Sequence, residues 1–302
     1  MSFQMKNANA RRGIQAAAIS LFALVASVAH AGWDGLNMTE GVSILSKEIY
    51  GLHMKIFYYC VAIGVVVFGV MIYSLIKFRK SQGAKADTTL VHSTKVEIIW
   101  TVIPILILVA MAIPTARGLI QIENMEGSTI DIKVTGYQWK WEYEYLGQNV
   151  SFFSTLKRDS NAARQLGSGI DPKTVEHYLL DVDNPLVIPA GTKIRFLLTA
   201  QDVIHAWWVP AFGMKKDAIP GYVSPIWVQV DADKVGTYRG QCAELCGQDH
   251  GFMPIVVEVK SPADYDAWLR AKQAEQKLAG QPASATAVET TVASTASAAS
   301  AQ

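Results

Sequence analysis

Only three cysteines occur in 302 residues, too few for the disulfide framework of a small secreted scaffold. Charge is scarce as well: Asp, Glu, Lys and Arg make up 18% of the chain and the formal net charge is +1. That balance gives no ground for a nucleic-acid partner, and 50% hydrophobic residues place part of the chain in lipid. No Cys-x-x-Cys-His follows residue 254, so there is no sign of a downstream cytochrome c domain. Residues 281–302 have no aromatic side chain and are mostly Ala, Ser, Thr, Val and Gln. Such a composition cannot build a core, and residues 280–302 are expected to be a disordered tail.

Two runs, residues 56–76 and 98–116, lack any charged side chain, and each is long enough to cross a bilayer as a helix. Spans are expected over residues 55–77 and 97–119. Lys77, Arg79, Lys80, Lys85 and Lys95 outnumber Asp87 and Glu97 between them, which puts the 78–96 loop in the cytoplasm. Everything after the second span then lies on the periplasmic side. Residues 1–31 carry Arg11 and Arg12, an apolar run over 16–28 and an Ala29-His30-Ala31 site, the pattern of a cleavable signal. An uncleaved first membrane helix is the alternative, but the run is shorter than the roughly 20 residues a span needs. Residues 32–54 form a periplasmic N-terminal segment on this reading. Cys60, inside the first span, reads as a packing residue.

Residues 241–254 read QCAELCGQDHGFMP. They bring Cys242, Cys246, His250 and Met253 into a short run of soft donors. Thiolate, imidazole and thioether together favour copper, whereas zinc sites are built from Cys, His and carboxylate ligands. A mononuclear blue copper site uses one thiolate with two imidazoles; two thiolates at this spacing suit sulfurs that bridge two ions. The second imidazole must come from elsewhere, and His205, in the apolar stretch DVIHAWW over 202–208, is the candidate. The competing readings are a disulfide between Cys242 and Cys246 and a plain core histidine at 205.

From residue 128 onward, short β-rich runs at 129–135, 137–145, 186–189, 193–200, 224–230, 237–241 and 253–260 alternate with turn residues. That spacing argues for an all-β sandwich or barrel over residues 120–260. In residues 136–145, GYQWKWEYEY, odd-numbered aromatics from Tyr137 to Tyr143 share one face of an expected strand. Ser261-Pro262-Ala263-Asp264 starts a helix over residues 261–279. Residues 157–173 carry no recognisable pattern.

The run from 240 to 255, with His205-Ala206-Trp207 and residues 216–221, KDAIPG, resembles subunit II of haem-copper cytochrome c oxidase over about residues 97–259. The resemblance implies a two-helix transmembrane hairpin followed by an all-β cupredoxin-like Greek-key domain outside the membrane. It implies two copper ions in a CuA centre: Cys242 and Cys246 bridge, His205 and Met253 complete one ion, and His250 with the backbone carbonyl of Glu244 completes the other. The Glu244 carboxylate would reach magnesium at the boundary with subunit I, though a merely exposed carboxylate fits too. Trp139 would receive electrons from cytochrome c, with Glu144, Asp183 and Asp217 as docking acids. Tyr137 and Lys140 replace the histidine and tyrosine common in the family there. Glu97 would mark the mouth of a proton channel, or serve as an interfacial anchor. Expected partners are oxidase subunits I and III, cytochrome c and membrane lipid, with no nucleic acid. The expected place is the inner membrane of a bacterium, with the copper domain in the periplasm and the oxygen chemistry of a proton-pumping enzyme in the partner subunit. A membrane-anchored copper chaperone and the CuA domain of another reductase are the rival functions. Nitrous oxide reductase lacks this anchor, and a quinol oxidase subunit lacks the ligands.

Overall fold

The protein is described by a computed structural model covering residues 35, 37–83, 85, 88–89 and 91–280. The expected signal at 1–31 and residues 281–302 of the expected tail lie outside the described residues, as does Asp87.

Helix α1 spans Ile44–Lys77 and α2 spans Thr94–Ile122, 34 and 29 residues long. At about 1.5 Å per residue they run roughly 51 and 44 Å, longer than the ~30 Å hydrocarbon layer. Their apolar side chains, such as Val65, Val66 and Leu106, face outward rather than into a protein core, as lipid or partner helices require. A capping box starts α1: Ser43 Oγ accepts from the Ser46 N–H at 3.0 Å, and Ser46 Oγ accepts from the Ser43 N–H at 2.9 Å. The helix therefore begins before the uncharged run, carrying a polar first stretch at the membrane boundary. Pro104 and Pro114 lie inside α2, where one missing N–H per proline is tolerated in a bundle.

The β-domain is fastened to the outer ends of both helices. Ser43 Oγ donates to the Phe212 carbonyl at 2.7 Å, Lys47 pairs with Asp231, and Trp227 Nε1 donates to the Gln121 carbonyl at 3.1 Å. Lys193 Nζ donates to the carbonyls of Asn124 and Glu126 at 2.8 and 2.6 Å. Trp227 and Lys193 thus tie the β-domain to the last turn of α2 and to the turn that follows it.

Among the described residues, ten strands make two layers. The first sheet has the order β3-β2-β1-β5-β8 and the second β4-β10-β9-β6-β7. They are β1 Ile130–Tyr137, β2 Lys140–Tyr145, β3 Val150–Ser154, β4 Leu186–Pro189, β5 Ile194–Ala200, β6 His205–Val209, β7 Met214–Ala218, β8 Ser224–Val228, β9 Gly236–Cys242 and β10 Pro254–Lys260. The parallel pairs β1/β5 and β4/β10 sit among antiparallel neighbours. Alternate residues face inward, and Trp141, Tyr143, Tyr145, Phe196, Trp207 and Ile188 are fully buried between the layers. Two buried polar groups of the core are paired: Tyr145 Oη donates to the Val187 carbonyl at 2.7 Å, and Trp207 Nε1 donates to Tyr143 Oη at 3.3 Å. This two-layer β-domain behind a helical hairpin is the cupredoxin-like class expected.

One expectation is corrected. The 137–145 run is not one strand. Tyr137 pairs with Lys140 as β1 turns into β2, so Gln138 and Trp139 form the two-residue connection of a hairpin. Trp141, Tyr143 and Tyr145 point inward from β2, and Trp139 is left half-buried in the turn. The β6/β7 hairpin and β3 were not anticipated. The patternless stretch after β3 forms helix α3, Arg158–Ala163, and a 3-10 turn at Pro172–Thr174. Helix α4, Pro262–Gly280, starts where Ser261 Oγ accepts from the Asp264 N–H at 3.2 Å. It packs Trp268 against Tyr145 with ring centroids 5.3 Å apart.

Candidate metal centre

The second sheet delivers the donors. His205 opens β6 and Cys242 ends β9, beside each other in the sheet because Trp207 and Trp208 pair with Cys242 and Gln241. Cys246, His250 and Met253 follow on the loop from β9 to β10. The loop is stitched at its base by the Ala243 N–H to the Ala206 carbonyl, 3.0 Å, and the Cys242 N–H to the Met253 carbonyl, 3.3 Å.

Five distances define the cluster. The two sulfurs are 3.8 Å apart. Cys242 Sγ is 4.0 Å from His205 Nδ1. Cys246 Sγ lies 3.5 Å from His250 Nδ1 and 3.5 Å from Met253 Sδ. The Glu244 carbonyl oxygen is 3.4 Å from Cys242 Sγ. His205 is 0% exposed, Met253 1%, Cys246 3% and Cys242 4%. Both cysteines are free thiols, which rules out the disulfide reading here.

Burial works on these groups unequally. It opposes ionisation of Cys242, but hydrogen bonds from His205 and from the backbone at Ala206 and Glu244 outweigh it and lower the thiol's pKa. Cys246 is pushed up, first by burial and then by negative charge on Cys242. Burial also works against a charged His205, yet its bonds to Cys242 and Asp202 raise its pKa. A bound cation would resolve this tension by replacing the protons that two close thiolates otherwise share.

The imidazole of His205 is oriented from behind. Nε2 is 2.9 Å from Asp202 Oδ1, so with Nε2 carrying the proton, Nδ1 presents its lone pair to the cluster. Gly136 makes room: a Cβ there would lie 2.7 Å from His205 Cδ2. Neither Asp202 nor Gly136 was singled out from sequence. The signal for Asp202 was available, a carboxylate three residues before a ligand histidine; the signal for Gly136 was not, because the contact crosses between sheets. His250 is held by a different device, a 3-10 turn over His250–Phe252.

The remaining sequence candidates fall in distinct places. Trp139 sits on the metal loop, its Nε1 donating to the Cys246 carbonyl at 3.3 Å, next to Gln138 Nε2 on the same oxygen at 2.9 Å. Gly247, at φ +118°, permits that approach, since a Cβ would lie 3.2 Å from Trp139 Cζ2. Glu244 is exposed while its carbonyl turns inward. Asp217 is exposed on β7 opposite Ala206, the neighbour of His205. Glu144 pairs with Lys133 at 3.4 Å, and Asp183 accepts from the Thr155 N–H and hydroxyl at 2.7 and 2.9 Å, so both acids have structural partners. Glu97 lies in the first turn of α2, at the opposite end of that helix from the β-domain.

Two thiols, two imidazoles, a thioether and a carbonyl, gathered around the two sulfurs, fit soft-metal coordination and match copper better than a hard cation. Among known proteins, the cytochrome c oxidase subunit II periplasmic domain family matches residues 130–260, and the transmembrane domain of the same subunit matches residues 31–117. A "Probable cytochrome c oxidase subunit 2" of Rickettsia bellii is 42% identical over 231 residues, 76% of this chain and 81% of that protein. The cytochrome c oxidase subunit 2 of Arabidopsis thaliana is 37% identical over 235 residues, 78% of this chain and 88% of its own. The crystal structure of the periplasmic domain of the Bradyrhizobium japonicum subunit is 37% identical, covering 50% of this chain and 99% of that one at a TM-score of 0.43. The two family matches cover the hairpin and the β-domain in turn, and the chain belongs to the cytochrome c oxidase subunit II family.

Proposed function

We propose that this subunit holds two copper ions, with Cys242 and Cys246 bridging, His205 and Met253 completing one ion, and His250 and the Glu244 carbonyl completing the other. Membership of the family makes the chain the electron-accepting subunit of an inner-membrane oxidoreductase complex, with a copper-binding domain on the periplasmic side. The observation that carries the two-ion reading is the pair of free sulfurs 3.8 Å apart, with an imidazole nitrogen beside each. Two copper ions held this way would supply a one-electron relay in which the shared charge keeps reorganisation small.

The residues of this chain then have separate tasks. Asp202 holds the His205 ring in the tautomer that leaves Nδ1 free. The Cys246 carbonyl fixes the Trp139 indole over the metal loop, which supports Trp139 as the point where cytochrome c delivers electrons. Exposed Asp217, close to the strand that carries His205, supports docking of a basic donor. Glu144 and Asp183 are weaker docking candidates because each already has a partner. The outward Glu244 carboxylate is suited to a hard cation such as magnesium at the face toward subunit I. Glu97 is assigned to proton uptake into that subunit; its place at a helix N-terminus also complements the helix dipole. Subunit III and boundary lipid complete the expected surroundings of the hairpin. Replacing Cys242 or Cys246 by Ser tests the bridging: each is expected to abolish the two-copper spectrum, and a variant that keeps it would end the bridging assignment.

A further inference from the structure

The stretch between β3 and β4 supplies none of the donors named above, yet it is tied to both sides of the metal loop. Its base is closed by the Lys157 N–H to the Asp181 carbonyl and the Asp183 N–H to the Thr155 carbonyl, each 3.0 Å. On one side, Asp181 accepts from Arg239 Nε and Nη2 at 3.1 and 2.9 Å, and Arg239 lies on β9, the strand that ends at Cys242. On the other, Arg164, the C-cap residue of α3, reaches Asp249 with both terminal nitrogens, Nη1 to Oδ1 at 3.2 Å and Nη2 to Oδ2 at 3.0 Å. Its guanidinium carbon is also 4.2 Å from the centre of the Phe252 ring, and Nε donates to Asn161 Oδ1 at 2.7 Å. Asp249 and Phe252 bracket the turn that carries His250 and leads to Met253. The pair is only 21% and 25% exposed, so it is less screened than a surface pair.

We propose that Arg164 is a positioning residue for the metal centre, clasping Asp249 and Phe252 so that the His250 turn is fixed and the Asp249 charge beside it is balanced. The proposal rests on the two-copper reading and adds a contact from outside the ligand loop. A planar, two-pronged cation is needed: only Arg can bond both carboxylate oxygens while lying on an aromatic face. With Arg164 gone, Asp249 keeps its charge one residue from a ligand, and the turn loses its outer support.

The test uses the full chain loaded with copper, as Arg164→Gln, Asp249→Asn and the two combined. Arg164→Gln is expected to release copper to a chelator about tenfold faster, the weight of one charge-assisted pair, with little change in thermal unfolding. Its reduction potential is expected to fall, because unbalanced negative charge favours the oxidised centre, while that of Asp249→Asn rises. The combined variant is expected to return near the wild-type potential while release stays fast. A loss of packing alone would move both single variants the same way, and that result would overturn the proposal. So would an Arg164→Gln chain with unchanged release and potential. If Arg164→Gln does not fold, Arg164→Lys decides: charge is kept and the fork is lost, so an unchanged potential with faster release is expected, and unchanged release would refute the clasp. If the wild-type chain holds no copper pair, the two-copper reading falls by itself. The clasp is then decided by amide exchange at residues 249–253 of the metal-free chain, expected about tenfold faster in Arg164→Gln and, if equal to wild type, absent.

Discussion

The two histidines of the centre are held by opposite strategies. His205 belongs to a strand, is 0% exposed, and is backed by an Asp202 carboxylate and a glycine that leaves the ring its space. His250 belongs to a short turn, is half-buried, and depends on side chains reaching in from elsewhere. The strand side inherits its geometry from the backbone hydrogen bonds of the second sheet. The loop side must be assembled from tertiary contacts, among them the Trp139 and Gln138 bonds to the Cys246 carbonyl. One half of the site is thus fixed by the sheet and the other is tethered by side chains.

Changes on the rigid side break the comparison hardest. Gly136→Ala places a Cβ where His205 sits, so the imidazole must leave its position. Loss of the ion that His205 completes is expected, with an overpacking cost of about 1–3 kcal/mol; metal analysis and thermal unfolding of the same sample read both. Equal copper content and stability in this variant would mean that the strand side is as adaptable as the loop side.

Asp202→Asn leaves the shape but weakens the acceptor behind Nε2. Copper affinity is expected to fall about 10- to 100-fold, as for other partners of ligand histidines, read by chelator competition. An unchanged affinity would show that the strand alone orients His205.

A smaller pair of changes separates the two sides by function. Trp139→Gln, on the loop side, is expected to slow electron acceptance from cytochrome c while copper content and donor affinity stay as in the wild type. Asp217→Asn, on the strand side, is expected to weaken donor binding by up to about fivefold, the reach of one exposed charge, and to lose that effect at high salt. Steady-state and single-turnover kinetics over a salt series distinguish them. The same salt dependence in both variants would merge the two roles.

What was legible in sequence follows the same division. The loop donors Cys242, Cys246, His250 and Met253 are close in sequence, so spacing alone brings them together, and the two uncharged runs announce the hairpin by length. His205 was reached because a second imidazole was required and one lay in an apolar run. The turn at Gln138 and Trp139 was misread as strand, because alternating aromatics carry the strand signal straight through a connection with no glycine or proline in it. Gly136 and Arg164 act through contacts between segments far apart in the chain, and a periodicity argument has no term for them; Asp202, three residues before His205, was within reach of a spacing argument. Residues 157–173 carried no pattern for the same reason: Asp249 and Phe252, the partners of Arg164, lie on the metal loop.

The central claim, that both sides close on one shared pair of ions, is tested most directly by copper analysis and electron paramagnetic resonance of the full chain. Two coppers per chain, with one unpaired electron split by two equivalent nuclei, are expected. A single copper, or splitting by one nucleus only, would contradict the bridging of Cys242 and Cys246.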